Sequence, residues 1–139
     1  MAEQAHLVFR LGGYSFALDL RNVVKIHDLA AGTEVLAWGD EVNLARYFGV
    51  EEEARRPFRV DVLVGDRSWC FGADAVEDIQ GFGLARALSF PPMLRREENR
   101  AVEGFYFDGL RFIHQLEAAA IMDSARFEAS LIRDGKLRA

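Results

Sequence analysis

The sequence is poor in the residues that staple small folds or perform chemistry. Its 139 residues include one cysteine, three prolines and three histidines. A lone thiol, Cys70, excludes an internal disulfide and fits a reducing compartment. Basic side chains are outnumbered, 17 against 22 acidic ones, for a formal net charge of −5. Such a chain lacks the basic face that nucleic acids and anionic membranes require, so neither is expected as a partner. The longest uninterrupted apolar run, Ala118 to Met122, is far short of the ~20 residues of a membrane span. Near the start, Glu3 stands where a signal peptide would carry positive charge. The expectation is a cytoplasmic protein without direct membrane insertion. No stretch is rich in proline or serine, so nothing reads as a linker. The chain is expected to form one domain, or two small ones intimately joined.

Catalytic patterns are equally scarce. His6, His27 and His114 lie far apart, in no HxH or HExxH pattern, and tetrahedral zinc needs three or four convergent ligands. His6 and His114 fall beside or within apolar strands and read as hydrogen-bonded structural residues. No Gly-x-Ser-x-Gly elbow occurs around any serine. Cys70, between Trp69 and Phe71, reads as a small buried residue, because a reactive thiolate needs positive charge nearby. Gly81-Phe82-Gly83-Leu84-Ala85-Arg86 is the nearest approach to a phosphate loop, but Arg86 occupies the third-glycine position and Phe82 crowds the turn. No enzyme activity, metal or cofactor is expected.

Aromatic rings are in excess: 11 Phe, 3 Tyr and 2 Trp. They fall largely in three hairpin signatures. Leu7, Phe9 and Leu11 alternate with other residues up to Gly12-Gly13, and Tyr14, Phe16 and Leu18 resume the alternation. Val60, Val62 and Val64 lead into Gly65-Asp66 and Ser68-Trp69-Cys70-Phe71. Phe105 and Phe107 lead into Asp108-Gly109 and Leu110-Arg111-Phe112-Ile113. Repeated small β-units closing as two barrels would bury the rings, since small barrels fill their interiors with side chains. Residues 41–48 read as a short helix stopped by Gly49. A second helix is predicted from about Leu116 to Ile132, with Leu116, Ala120, Ser124, Phe127 and Leu131 on one stripe. That stripe suits either packing on its own barrel or docking on a partner. Glu51–Glu53 and Arg95–Glu98 read as solvated loops.

The order of these segments resembles a known family. Leu7-Val8-Phe9-Arg10-Leu11-Gly12-Gly13-Tyr14-Ser15-Phe16-Ala17-Leu18, followed by Leu20 to Ile26, is similar to the opening of the CheW-like domain, the adaptor module of bacterial chemotaxis arrays. Trp69 through Ile79 resembles the family's Gly-hydrophobic-hydrophobic-Val-Asp-x-Val-x-x-Val strand and exit. The likeness returns at Leu88-Ser89-Phe90-Pro91-Pro92 and from Val102 to Glu117, so that it spans most of residues 6–120. It implies a mainly β fold of two small, intertwined SH3-like five-stranded barrel subdomains over 6–120, with a short internal helix and a C-terminal helical extension over 121–139. It also implies a non-catalytic scaffold that couples a chemoreceptor's cytoplasmic tip to the regulatory domain of a CheA-type histidine kinase.

Two departures bear on partners. Lys25 stands where the family usually carries a glutamate in its Val-x-Glu-Ile run, and a reversed charge at an interface rejects the usual partner. The chain between Ile26 and Asn43 is short, so the first subdomain looks trimmed, as though a strand were missing. Trp38 falls there, either as core filler or as an exposed anchor. The expected partner-binding residues are Val23, Lys25, Ile26 and Trp38, with Val76 and Ile79 in the neighbouring inter-barrel groove. Competing readings are a CheW-like fold retuned for another partner or for self-association, and a β-barrel holding a small apolar ligand.

Overall fold

A computed structural model describes residues 4–31, 36, 38–50, 56–82, 87–89, 101–107 and 110–132. In chain order the elements are β1 (Gln4–Leu11), β2 (Tyr14–Asp19), β3 (Val23–Asp28), β4 (Asp40–Val42), α1 (Leu44–Phe48), β5 (Phe58–Val64), β6 (Arg67–Ala73), β7 (Ala75–Phe82), β8 (Ala87–Ser89), β9 (Val102–Phe107), β10 (Phe112–Leu116), α2 (Ala118–Met122), α3 (Ala125–Ala129) and β11 (Leu131–Ile132). Single 3-10 turns, Leu20–Asn22 and Leu29–Ala31, flank β3.

Glycine sets the first two hairpins. Leu11 pairs with Tyr14 across Gly12 and Gly13, whose φ angles are 55° and 88°. Both turn residues are then left-handed, the twist that a two-residue hairpin needs. Val64 likewise pairs with Arg67, and Gly65 supplies a φ of 62°. In the third hairpin β9 and β10 pair antiparallel, with Phe107 opposite Phe112. Its Asp108-Gly109 turn lies outside the described residues, as do Gly83–Arg86, Phe90–Pro92, Glu51–Glu53 and Arg95–Glu98. Gly81 and Phe82 belong to the end of β7, so the glycine pair begins in a strand rather than a loop.

The strands form two sheets, the two subdomains of a mainly β architecture. One has six strands in the order β7-β1-β2-β10-β9-β8, and the other five in the order β11-β4-β6-β5-β3. The chain builds β1 and β2 in the first sheet, β3 to β6 in the second, returns for β7 to β10, and crosses again for β11. The six-strand count arises because β7 continues directly from β6 and pairs along β1. The second sheet keeps five strands despite the short stretch after Ile26, so the expected missing strand is not seen. Its fifth strand, β11, comes from the C-terminal end and pairs with β4.

Both faces of β1 are buried, with Leu7, Val8 and Phe9 each fully enclosed. Successive strand residues point to opposite faces. Leu7 and Phe9 therefore join the main core, while Val8 joins Ala17, Tyr106 and Ile113 on the other side. In the main core Phe9 meets Phe71 of the opposite sheet, ring centroids 4.9 Å apart, and Phe16 stacks on Phe48 of α1 at 5.0 Å. Each ring so enclosed contributes about 1.5–3 kcal/mol relative to exposure. Part of the aromatic excess thus forms the seam between the sheets.

The long C-terminal helix is corrected. Leu116 ends β10, and the following residues make two five-residue helices separated at Asp123 and Ser124. The Ser124 hydroxyl accepts the Arg126 N–H at 3.1 Å, so this serine starts a new helix instead of continuing the old one. The stripe nonetheless faces inward: Phe127 and Ser124 are buried and Leu131 packs on the core. Arg126 Nε donates to the Tyr47 carbonyl at 2.7 Å, and Asn43 N–H to the Ser130 carbonyl at 2.8 Å. The segment is latched onto α1 and β4 of its own chain. The short internal helix begins at Leu44, later than its pattern suggests, because residues 40–42 pair with β6. Asn43 caps it, and Gly49 ends it with a φ of 70°.

Candidate partner-binding surface

Among the described residues β3 is an edge strand, hydrogen-bonded to β5 alone. The ladder slips between Val23 and Lys25, where Val23 faces Val62 and Lys25 faces Asp61. A bulge of this kind breaks the strict alternation of faces. Val23 and Ile26 are half-buried against the main core, whereas Val24 and Lys25 both face outward. Val24 is 48% exposed, so the apolar group presented by this edge is Val24, a residue the sequence argument missed. Only the bulge reveals it, since strict alternation would turn two neighbours to opposite faces.

Beside Lys25 the sheet holds a closed ionic cluster. Asp61, 4% exposed, takes His27 Nε2 at 2.7 Å and Arg59 Nε at 2.9 Å. Arg59 also donates to the Leu36 carbonyl at 2.7 Å. With both oxygens engaged, Asp61 is satisfied without Lys25, and the Lys25 ammonium meets no acidic partner among the described residues. Among the described residues, a cation without an ion-pair partner thus stands next to an exposed valine on a strand paired on one side.

Trp38 lies on the same margin. Its indole Nε1 donates to the Val62 carbonyl at 2.9 Å, and Val62 is the strand partner of Val23. The ring is half-buried, fixed by its polar end. Gly39 follows with a φ of 59°, and a side chain there would collide with the Ser68 carbonyl at 2.0 Å. The segment therefore crosses β6 at backbone contact distance. Val23, Lys25, Ile26 and Trp38 share one border of the five-stranded sheet. Val76 and Ile79 are on β7, the edge of the other sheet, opposite Phe9 and Leu7 of β1. Val76 is half-buried against the core. The two groups of residues occupy different sheet edges.

The residues with chemical potential are structurally engaged. Burial pushes the Cys70 thiol up to about 11, with Arg59 opposing and the Glu41, Asp61 and Asp40 carboxylates assisting. It stays protonated and unreactive at neutral pH. His114 Nδ1 donates to the Ser15 carbonyl at 3.0 Å, and His6 Nε2 lies 3.3 Å from the Gln115 amide. No three candidate metal ligands converge among the described residues. Asp74, the aspartate of the Trp69–Ile79 run, is a corner clasp. Its Oδ2 accepts the Gly12 N–H at 2.7 Å, its N–H donates to the Arg10 carbonyl at 3.0 Å, and Oδ1 holds Arg56.

No known family profile and no curated protein matches the sequence. Among solved structures the chain superposes on the scaffolding protein TtCheW from Thermoanaerobacter tengcongensis with a TM-score of 0.72. The match covers 94% of this chain and 99% of that one, at 14% sequence identity. The fold is that of CheW. The superposition runs through both sheets, so the short stretch after Ile26 costs the chain no subdomain. At this identity the two proteins share architecture, while their surfaces are free to differ. No helix among the described residues is long and apolar enough to cross a membrane.

Proposed function

We propose that this chain is a non-catalytic adaptor of a chemotaxis-type signalling assembly, coupling a chemoreceptor's cytoplasmic tip to the regulatory domain of a CheA-type histidine kinase in the cytoplasm. The observation that carries this reading is the end-to-end match of its fold to a scaffolding protein. The engaged state of its histidines and its cysteine supports a role by contact rather than by chemistry. Interfaces of this kind work through an apolar centre and a polar rim, and the β3 edge offers both in Val24 and Lys25. Mixing the chain with a cognate kinase regulatory domain and receptor tip, and following complex size by sedimentation, tests it. A ternary complex at tens of micromolar is expected; no complex with either component sinks the coupling role.

A second reading, partner retuning, is favoured by Lys25 specifically. An exposed ammonium whose cross-strand acid, Asp61, is already held by Arg59 and His27 suits an acidic partner surface and repels a basic one. Among the described residues the outer side of β3 carries no strand, and such an edge suits strand addition, including by a second copy. A monomer at all concentrations counts against self-association. The filled interior around Val8, Ala17, Tyr106 and Ile113 speaks against a ligand held inside a barrel.

A further inference from the structure

The aromatic row of the main core does not stop at the core. Phe16 packs on His114 at 5.3 Å between ring centroids, His114 on Phe105 at 5.3 Å, and Phe105 on Phe112 at 6.0 Å. These residues share one face because His114 pairs with Phe105 on β9 and with Phe16 on β2. Where the row reaches the surface it opens into a pocket of about 470 Å³, walled by Tyr14, Phe105, Phe112 and His114 with Ser15 and Arg111 at its margin. Tyr14 and Phe112 are 52% and 56% exposed, unusual values for large rings. The volume exceeds what one benzene ring needs and suits a fused bicycle.

The polar groups of the pocket narrow the ligand further. The Arg111 guanidinium is held by Glu77, with contacts of 2.7 and 2.8 Å, and also donates to the Ser15 hydroxyl at 3.1 Å, while Glu77 also receives Arg10 at 3.7 Å. The donors of Arg111 are thus spent on Glu77 and Ser15 within the fold, which leaves the ligand site to the rings and to His114. His114 is oriented by the Ser15 carbonyl, which can only accept, so Nδ1 carries the hydrogen. In the neutral ring Nε2 is then an acceptor, and it has no protein partner among the described residues. We propose that this pocket binds a small, neutral, planar aromatic group bearing one O–H or N–H donor, its ring against Tyr14, Phe105 and Phe112 and its donor on His114 Nε2. The site is separate from the β3 edge and independent of the adaptor reading.

Titrating the intact chain with 2-naphthol, followed by amide chemical shifts, tests this. Saturable shifts centred on Gly13, Ser15, Arg111 and His114 are expected, with a dissociation constant on the order of 1 mM for a ligand of this size. Quinoline, a bicycle with an acceptor and no donor, should bind about tenfold more weakly, the worth of one net hydrogen bond. His114→Phe keeps the ring surface and removes the acceptor, so the preference for naphthol should vanish. Phe112→Ser, at a position more than half exposed, should weaken both ligands in the folded chain. Comparing p-cresol with N-acetyl-tyrosinamide separates a free aromatic molecule from a side chain on a peptide, and tighter binding of either one keeps the site. Shifts that grow linearly and scatter over the surface overturn the proposal. So does a naphthol preference that survives in folded His114→Phe, or naphthol affinity unchanged in Phe112→Ser.

Discussion

The Asp74 carboxylate holds the backbone of Gly12 at 2.7 Å, joining the first hairpin turn to the corner where β6 becomes β7. The same carboxylate receives the Arg56 guanidinium, whose side chain is largely buried. Removing the acid would leave an N–H and a buried cation unpaired at one point. Asp74→Ala is therefore expected to cost about 3 kcal/mol. Asp74→Asn, which can still accept from Gly12, should recover roughly half of that. Urea unfolding checks both, with a lower midpoint and an unchanged slope expected. A cost below about 0.5 kcal/mol for Asp74→Ala would assign the clasp no stabilising role.

The C-terminal segment makes a second test, because its rings and bonds face its own chain. Phe127 is fully buried and sits edge-on to Trp69 at 5.7 Å. Phe127→Ala should cost about 3–5 kcal/mol, and Arg126→Ala, which frees the Tyr47 carbonyl, about 1–2 kcal/mol. Hydrogen exchange should report faster opening of α1 and β4 in both variants, since these are the elements the segment touches. Stability unchanged by Phe127→Ala would mean that the helix pair docks elsewhere in solution.

Cys70 ties stability to alkaline pH. The folded thiol ionises near 11, above the ordinary 9.0. Below pH 9 both states are protonated and the shift has no effect. As pH rises from 9 towards 11 the unfolded chain loses its thiol proton while the folded chain keeps it, so stability falls. The loss should reach on the order of 2 kcal/mol at pH 11 and be absent in Cys70→Ala. Aromatic disulfide reagents should react at neutral pH only at the rate of unfolding. Immediate labelling of the native chain would contradict the buried placement.

Much of the architecture was legible from local chemistry. Gly12-Gly13 and Gly65-Asp66 demanded left-handed turns, and Gly49 marked the end of α1, because backbone conformation at those positions depends on one or two residues. What escaped was set at long range or by competition between local options. Asp74 contacts Gly12, 62 residues away, and no pattern announces such a pair. Ser124 suits a helix stripe and a helix cap equally, and the cap prevailed because it lets Leu131 pair with Val42. Val24 became outward-facing through a bulge that arises only when β3 meets β5. Of the expected contact residues, Lys25 stands wholly outside, while Val23 and Ile26 lean on the core. For them periodicity could give the strand but not the slip that chose its exposed side.

Lys25 offers the sharpest test of which partner the β3 edge meets. Its neutral substitution, Lys25→Gln, should change stability by less than about 0.5 kcal/mol, since the residue is exposed and makes no ion pair among the described residues. Lys25→Glu places a carboxylate directly opposite Asp61 and should cost about 1 kcal/mol, as like charges across a strand pair do. Against an acidic partner surface, Lys25→Glu should weaken association about tenfold, mostly by slowing the on-rate, and flatten its dependence on salt. Against a basic surface the same change should strengthen it. Association rates of both variants with kinase regulatory domain and receptor tip, at two ionic strengths, separate these cases. Rates indifferent to the charge at position 25 would remove the β3 edge from the interface altogether.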